Sequence, residues 1–390
     1  MNLSLFLAGI FLLTFFFGKL IEKARIPWVF SALFLGLTYS TLNLPRETIS
    51  SETFVFMAEL GMYFLLFIIG FDLNIKEILK QGKFIFKLSF FIIFTETLLG
   101  TIVIYFLFDT GWLIALLVAS SFATVGEAVL LPILDEFKIT KTKFGQTILG
   151  IGSFDDIFEL ITVVVASLLL GYSAGNSGIA ITTSLVIFAF LFFVPLLLIV
   201  FSKKIHHFRF KGIPSLFLFG IFTVFLFIGI GNYADFAPLG ALLAGIALKA
   251  FLTKGQTEHL EPIMRIISYG FFVPIFFFGI GAGVDIRYLM SAPLIIFVIL
   301  FITTTTKIFT SYIIAKKKFG VKKSILFGIG LSAKFSTSIV IITMFFNQKI
   351  ILSDLYSALI GAMIISQFLI PVLFSFLLKK WSLKFEEVKR

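Results

Sequence analysis

Thirteen runs of apolar residues, most of them long enough to cross a bilayer core as a helix, alternate along this chain with short polar connections. They fall at roughly 3–21, 27–43, 53–71, 84–108, 111–134, 144–171, 178–201, 213–231, 236–252, 262–282, 291–315, 323–346 and 354–378. The pattern predicts an all-α polytopic membrane protein with one transmembrane domain spanning residues 1–390. Divided as six, one and six, segments 1–6 and 8–13 stand seven positions apart, so matching helices run in opposite directions. Inverted repeats of this kind build many secondary transporters, with the site near the midplane where the halves meet. The repeat is legible in hydropathy only; residue identity between the halves does not rise above noise.

Two segments are interrupted at corresponding places. Segment 5 carries Ser120-Ser121-Phe122-Ala123-Thr124-Val125-Gly126-Glu127 at its middle, and its counterpart, segment 12, carries Gly330-Leu331-Ser332-Ala333-Lys334-Phe335-Ser336-Thr337-Ser338. Unwound backbone at that depth is tolerated only where it is buried in protein or faces water. Paired interruptions of this kind predict two crossing broken helices that flank the site. Glu127 would then compensate the positive N-terminal ends and Lys334 the negative C-terminal ends. The alternative is that Glu127 and Lys334 pair with each other or with Glu159.

Segment 6 holds the densest chemistry, Gly152-Ser153-Phe154-Asp155-Asp156-Ile157-Phe158-Glu159. At 1.5 Å per residue the two aspartates lie roughly 15–18 Å into the segment, near the middle of a core about 30 Å thick. A carboxylate there is costly unless it meets a partner, an ion or water, and such residues mark transport paths. Glu159 follows at helical spacing, as a further acid on the same flank. A structural polar cluster is the bland reading, which two adjacent mid-depth aspartates disfavour. Lys307, inside segment 11 of the other half, is the matching cation. The aspartates are its natural partners, since the cytoplasmic lysine cluster is roughly 13 Å away along the helix, a long reach for snorkelling. Glu59 and Glu96 read as satisfied by neighbouring hydroxyls, with no transport role. Asn232, Asp235, Asp285 and Asp354 read as solvated caps near helix ends.

Composition narrows the chemistry. There is no cysteine, which excludes disulfides and thiolate metal sites. His206, His207 and His259 fall in predicted loops, which excludes a histidine metal site inside the membrane. No organic or metal cofactor is implied. The net charge of +11 would suit a nucleic-acid binder, but the positions of the charges decide otherwise. With loops assigned alternately, only Arg46, Arg287 and Lys349 fall on one side, and Lys307 and Lys334 stay in the membrane. The rest of the 32 basic residues gather on the other side. By the positive-inside rule that side is the cytoplasm, with the C-terminus inside and the N-terminus outside. The first segment lacks a basic lead and a cleavage site, so it reads as a retained helix.

Together these features resemble the monovalent cation:proton antiporter-2 family of the sodium/proton exchanger superfamily. The matching pieces are Ala58-Glu59-Leu60-Gly61 through Gly70-Phe71-Asp72-Leu73, Ala123-Thr124-Val125-Gly126, Gly152-Ser153-Phe154-Asp155-Asp156, Pro274 through Gly281 to Asp285, Thr306-Lys307-Ile308, and Ser332-Ala333-Lys334. The resemblance implies Asp156 as the carboxylate that binds the cation or the proton. It also implies Asp155 as the partner of Lys307, and Thr124 and Ser153 as supporting ligands. It further implies a panel or dimerisation domain, hence a homodimer, beside a core of helices at about 84–171 and 291–378 that moves as an elevator. Many relatives carry Arg-Gly-Glu in the second break where this chain has Lys334-Phe335-Ser336. Glu127 and Glu159 are not general family features. Potassium-efflux relatives continue into a cytoplasmic nucleotide-binding domain, and that regulation is not expected here.

The expected activity is exchange of protons for Na⁺, with Li⁺ or K⁺ as alternatives, in the cell membrane. An organic-anion symporter on a related fold is disfavoured by the buried acids. An intramembrane aspartyl hydrolase needs carboxylates on facing helices that share a proton, whereas neighbours on one helix point about 100° apart.

Overall fold

In a computed structural model the regions described are nearly all helical, joined by short turns. These are residues 2–23, 27–42, 44–73, 82–125, 134, 137–140, 142–173, 186–187, 189–198, 210, 212–233, 236–334, 336–381, 383 and 385. The helices are α1 (Leu3–Glu22), α2 (Phe30–Thr41), α3 (Glu52–Asp72), α4 (Lys83–Phe108), α5 (Trp112–Phe122) and α6 (Lys143–Ser173). They continue with α7 (Ala189–Leu198), α8 (Ile213–Asn232), α9 (Ala237–Phe251) and α10 (Lys254–Ile267). The last six are α11 (Val273–Gly283), α12 (Ile286–Ser291), α13 (Pro293–Phe319), α14 (Val321–Gly330), α15 (Ser336–Asn347) and α16 (Ser353–Lys380). Among the described residues, seven spans are long and apolar enough to cross a membrane. The shorter apolar helices include one piece of each interrupted segment, Trp112–Phe122 and Ser338–Asn347.

One expected boundary moves. Segment 10 begins at Lys254, because Thr253 and Gln256 form a reciprocal capping box. A π turn over Ser268–Phe272 then joins α10 to α11 in one long rod. His259, expected in a loop, is therefore on this helix, and it is exposed.

Packing separates two bundles. In one, α2 lies along α11 and α3 along α9, with α1 and α8 outside them. In the other, α4 packs on α5, α6 and α13, while α13 also packs on α14 and α16. Exchanging segments 1–6 with 8–13 maps α3 on α9 onto α11 on α2, and α4 on α5 onto α13 on α14. The closest approaches in the first bundle obey the same exchange. A Cβ on Gly36 would strike the Phe278 carbonyl and one on Gly281 the Leu33 carbonyl. Likewise a Cβ on Gly70 would strike the Leu242 carbonyl and one on Gly245 the Phe67 carbonyl. Small residues at such crossings let backbones touch, which is how helices associate where lipid removes the hydrophobic drive.

The abundant Phe divides between two tasks. Phe64 stacks on Phe272 at 4.7 Å inside the first bundle. Phe86, Phe90 and Phe94 instead form a stacked, exposed row along α4, at the i, i+4 spacing of a lipid-facing stripe.

Candidate functional site

The site forms where both interrupted segments end their first halves. Helix α5 stops at Phe122, and the Ala123 N–H closes it on Ala119. Helix α14 stops at Gly330. Each stop leaves backbone carbonyls without intrahelical donors. The two stops meet on Lys307, which reaches across from α13. Its Nζ donates to the Thr124 carbonyl at 3.2 Å and to the Leu331 carbonyl at 2.7 Å. Side chains also bridge the breaks, Thr124 Oγ1 lying 2.9 Å from Ser338 Oγ on α15. The α13–α14 approach that permits this depends on Gly328, where a Cβ would strike the Ile308 backbone.

Glu96, on α4, joins the two lysines. Lys334 Nζ donates to Glu96 Oε1 at 2.6 Å and to the Phe122 carbonyl, and it stands 4.6 Å from the centre of the Phe122 ring. Lys307 Nζ lies 3.2 Å from Glu96 Oε2, in ion-pair range but without hydrogen-bond alignment. All three side chains are at most 2% exposed. Glu96 is thus no idle acid satisfied by hydroxyls, as the sequence suggested. It is an ion-pair partner of Lys307 that the sequence reading, which gave Lys307 to Asp155, did not name. A hydroxyl pair one turn away, Thr95 to Thr310 at 2.9 Å, ties α4 to α13 beside it.

The acidic stretch lies on α6, which packs against α4, α5, α14 and α15. Asp155 is 1% exposed. Two ring contacts on the N-terminal side of Asp155 hold α6 to its neighbours: Phe154 packs edge-on to Phe86 of α4 at 5.1 Å, and Phe144 packs against Phe327 of α14 at 4.4 Å. Ser153, Asp156 and Glu159 are on the same helix by their backbone, and their side chains lie outside the described residues. Glu127 lies outside them altogether. Among the described residues no group of three or more acidic or histidine side chains is gathered as a multidentate metal site.

Residues 7–380 match the family described as "Sodium/hydrogen exchanger, transmembrane". The chain belongs to the sodium/hydrogen exchanger family. The Na(+)/H(+) antiporter of Enterococcus hirae is 25% identical over 373 residues, covering 92% of this chain and 94% of that one. The K(+)/H(+) antiporter subunit KhtU of Bacillus subtilis is 29% identical over 255 residues, 60% of this chain and 58% of its own. The sodium proton antiporter MjNhaP1 from Methanocaldococcus jannaschii, whose structure was solved at pH 8, superposes with a TM-score of 0.66 at 17% identity. That superposition covers 98% of this chain and 97% of the other, so the fold is shared throughout. This exchanger is a multi-pass membrane transporter and not an enzyme, which removes the aspartyl hydrolase.

Proposed function

We propose that this exchanger is a secondary antiporter trading protons for a monovalent cation, Na⁺ first, with Li⁺ and K⁺ as alternatives. The observation that carries the reading is a buried Asp155, with Asp156 beside it in sequence, on the helix that packs against both interrupted segments. Oxygen ligands suit hard monovalent cations, and a carboxylate that titrates holds either the ion or a proton. Competition for that one site couples the two fluxes once access alternates. Asp156 carries the exchanging carboxylate, with Asp155, Ser153 and Thr124 as supporting oxygens. The names of the E. hirae and B. subtilis relatives support Na⁺ and K⁺ respectively.

Access alternates by movement of the core, helices at about 84–171 and 291–378, against a panel built from the remaining helices. The two crossing breaks travel with the core. The panel face joins two copies into a homodimer in the cell membrane, with the N-terminus outside and the C-terminus in the cytoplasm, an orientation supported by the basic loops.

The reading is tested in proteoliposomes with a trapped pH dye. Addition of Na⁺, Li⁺ or K⁺ should move internal pH in the direction of proton counterflow for at least one cation. A wild-type protein that moves no protons with any of the three refutes antiport.

A further inference from the structure

A second acid stands apart from this site. Between α3 and α11 on one side and α15 and α16 on the other lies a cleft of about 140 Å³, lined in part by Glu59, Thr343, Asn347 and Tyr356. That is far below the roughly 300–1,000 Å³ of pockets for drug-sized ligands and leaves room for an ion with a few waters. Glu59 is half-buried about 10 Å along α3 from its first residue, at a depth where an uncompensated carboxylate is costly. Among the described residues no hydrogen bond or ion pair is placed on its carboxylate, and no basic side chain lines the cleft. The expectation that hydroxyls satisfy Glu59 therefore fails.

We infer that this cleft is a second cation site, in which the Glu59 carboxylate, the Asn347 amide oxygen and the Thr343 hydroxyl receive a partly hydrated monovalent cation on its way to the central aspartates. Three observations converge. The polar part of an otherwise apolar lining is one carboxylate among neutral oxygens, which suits a hard monovalent ion and repels an anion. The placement is the seam between the two bundles, with Glu59 on the panel and Asn347 on the core. The direction is inward: α15 carries Asn347 at the exposed mouth, Thr343 deeper, and Ser338 beside Thr124 at the break. Tyr356 lies in the first turn of α16, whose other end leads to the C-terminus, so the cleft serves the membrane face opposite the C-terminus.

The inference rests on the antiport reading, and the test separates the two. Wild type, Glu59→Gln, Glu59→Asp and Asn347→Ala are reconstituted in vesicles sorted by protease access to a C-terminal tag. Cation-driven pH change is then titrated from each face. For cation presented opposite the C-terminus, Glu59→Gln should raise the half-saturating concentration about tenfold, corresponding to about 1.4 kcal/mol of lost binding. Maximal rate, and the titration from the C-terminal face, should stay as in wild type. Glu59→Asp should recover most of the affinity, and Asn347→Ala, at the exposed mouth, should give a smaller one-sided loss if Glu59→Gln does not fold. An unchanged titration on both faces, or an equal shift on both, overturns the second site while leaving antiport intact. A wild-type protein that exchanges no cation overturns antiport and this inference with it.

Discussion

Lys307, Lys334 and Glu96 form a nearly closed charge account in the middle of the protein. One carboxylate answers one of the two ammonium groups. The C-terminal ends of α5 and α14, each equivalent to roughly half a negative charge, answer the other. The donated bonds to the Phe122, Thr124 and Leu331 carbonyls are how those ends make contact. In this arrangement each lysine meets Glu96 and helix-end carbonyls at once. Removing one member of a buried ion pair costs about 3–5 kcal/mol, because the abandoned charge stays in low dielectric. Glu96→Gln should therefore lower thermal stability in detergent by several degrees. Adding Lys334→Met should restore part of the loss; a double variant no better than the single one would show that Glu96 does not hold Lys334. Asp156→Asn should instead leave stability near wild type and abolish cation-driven pH change, since an amide neither titrates nor carries a full charge. Asp155→Asn should be the milder variant, and a dead Asp155→Asn beside an active Asp156→Asn would reverse the two roles. Both lysines and the aspartate pair stood out in the sequence as charges inside apolar runs. The task of Glu96 did not, because its partners lie 238 and 211 residues away and only the fold brings them together.

At the scale of elements, interruptions and glycines do different jobs. The breaks after Phe122 and Gly330 were legible from polar residues inside apolar segments, because no lipid-facing helix would carry them. The early start of segment 10 was missed: Thr253 and Gln256, three apart, mark it, but the low hydropathy of that turn concealed it. The glycine pattern was present but mute. Leu33 to Gly36, Phe67 to Gly70, Leu242 to Gly245 and Phe278 to Gly281 share one spacing of three, yet that spacing acquires meaning only when the helices are seen to cross there. These pairs set the backbone crossings of the first bundle. Gly70→Val and Gly281→Val should each destabilise by about 1–3 kcal/mol through overpacking. Half-saturation for the cation in the surviving folded fraction should be unchanged. A loss of affinity without loss of stability would move the crossing into the transport path.

For the whole molecule, the two-bundle packing and the loop charges make one joint demand on orientation. The chain between Lys322 and Lys349 consists of α14, the break and α15, which on the thirteen-segment reading cross the membrane once. Both end positions are exposed. The positive-inside rule puts the Lys316–Lys323 cluster in the cytoplasm and so sends Lys349 to the outside. The absence of cysteine makes the demand directly measurable, since a single introduced thiol has no background. In intact cells Lys349→Cys should react with a membrane-impermeant maleimide at once, and Lys322→Cys only after permeabilisation. The reverse order would invert the molecule and place the Glu59 cleft on the cytoplasmic face. Equal labelling of both positions in intact cells would mean that segment 12 does not cross at all. The paired breaks could not then meet at mid-depth, and the inverted-repeat account of the transport site would fall with them.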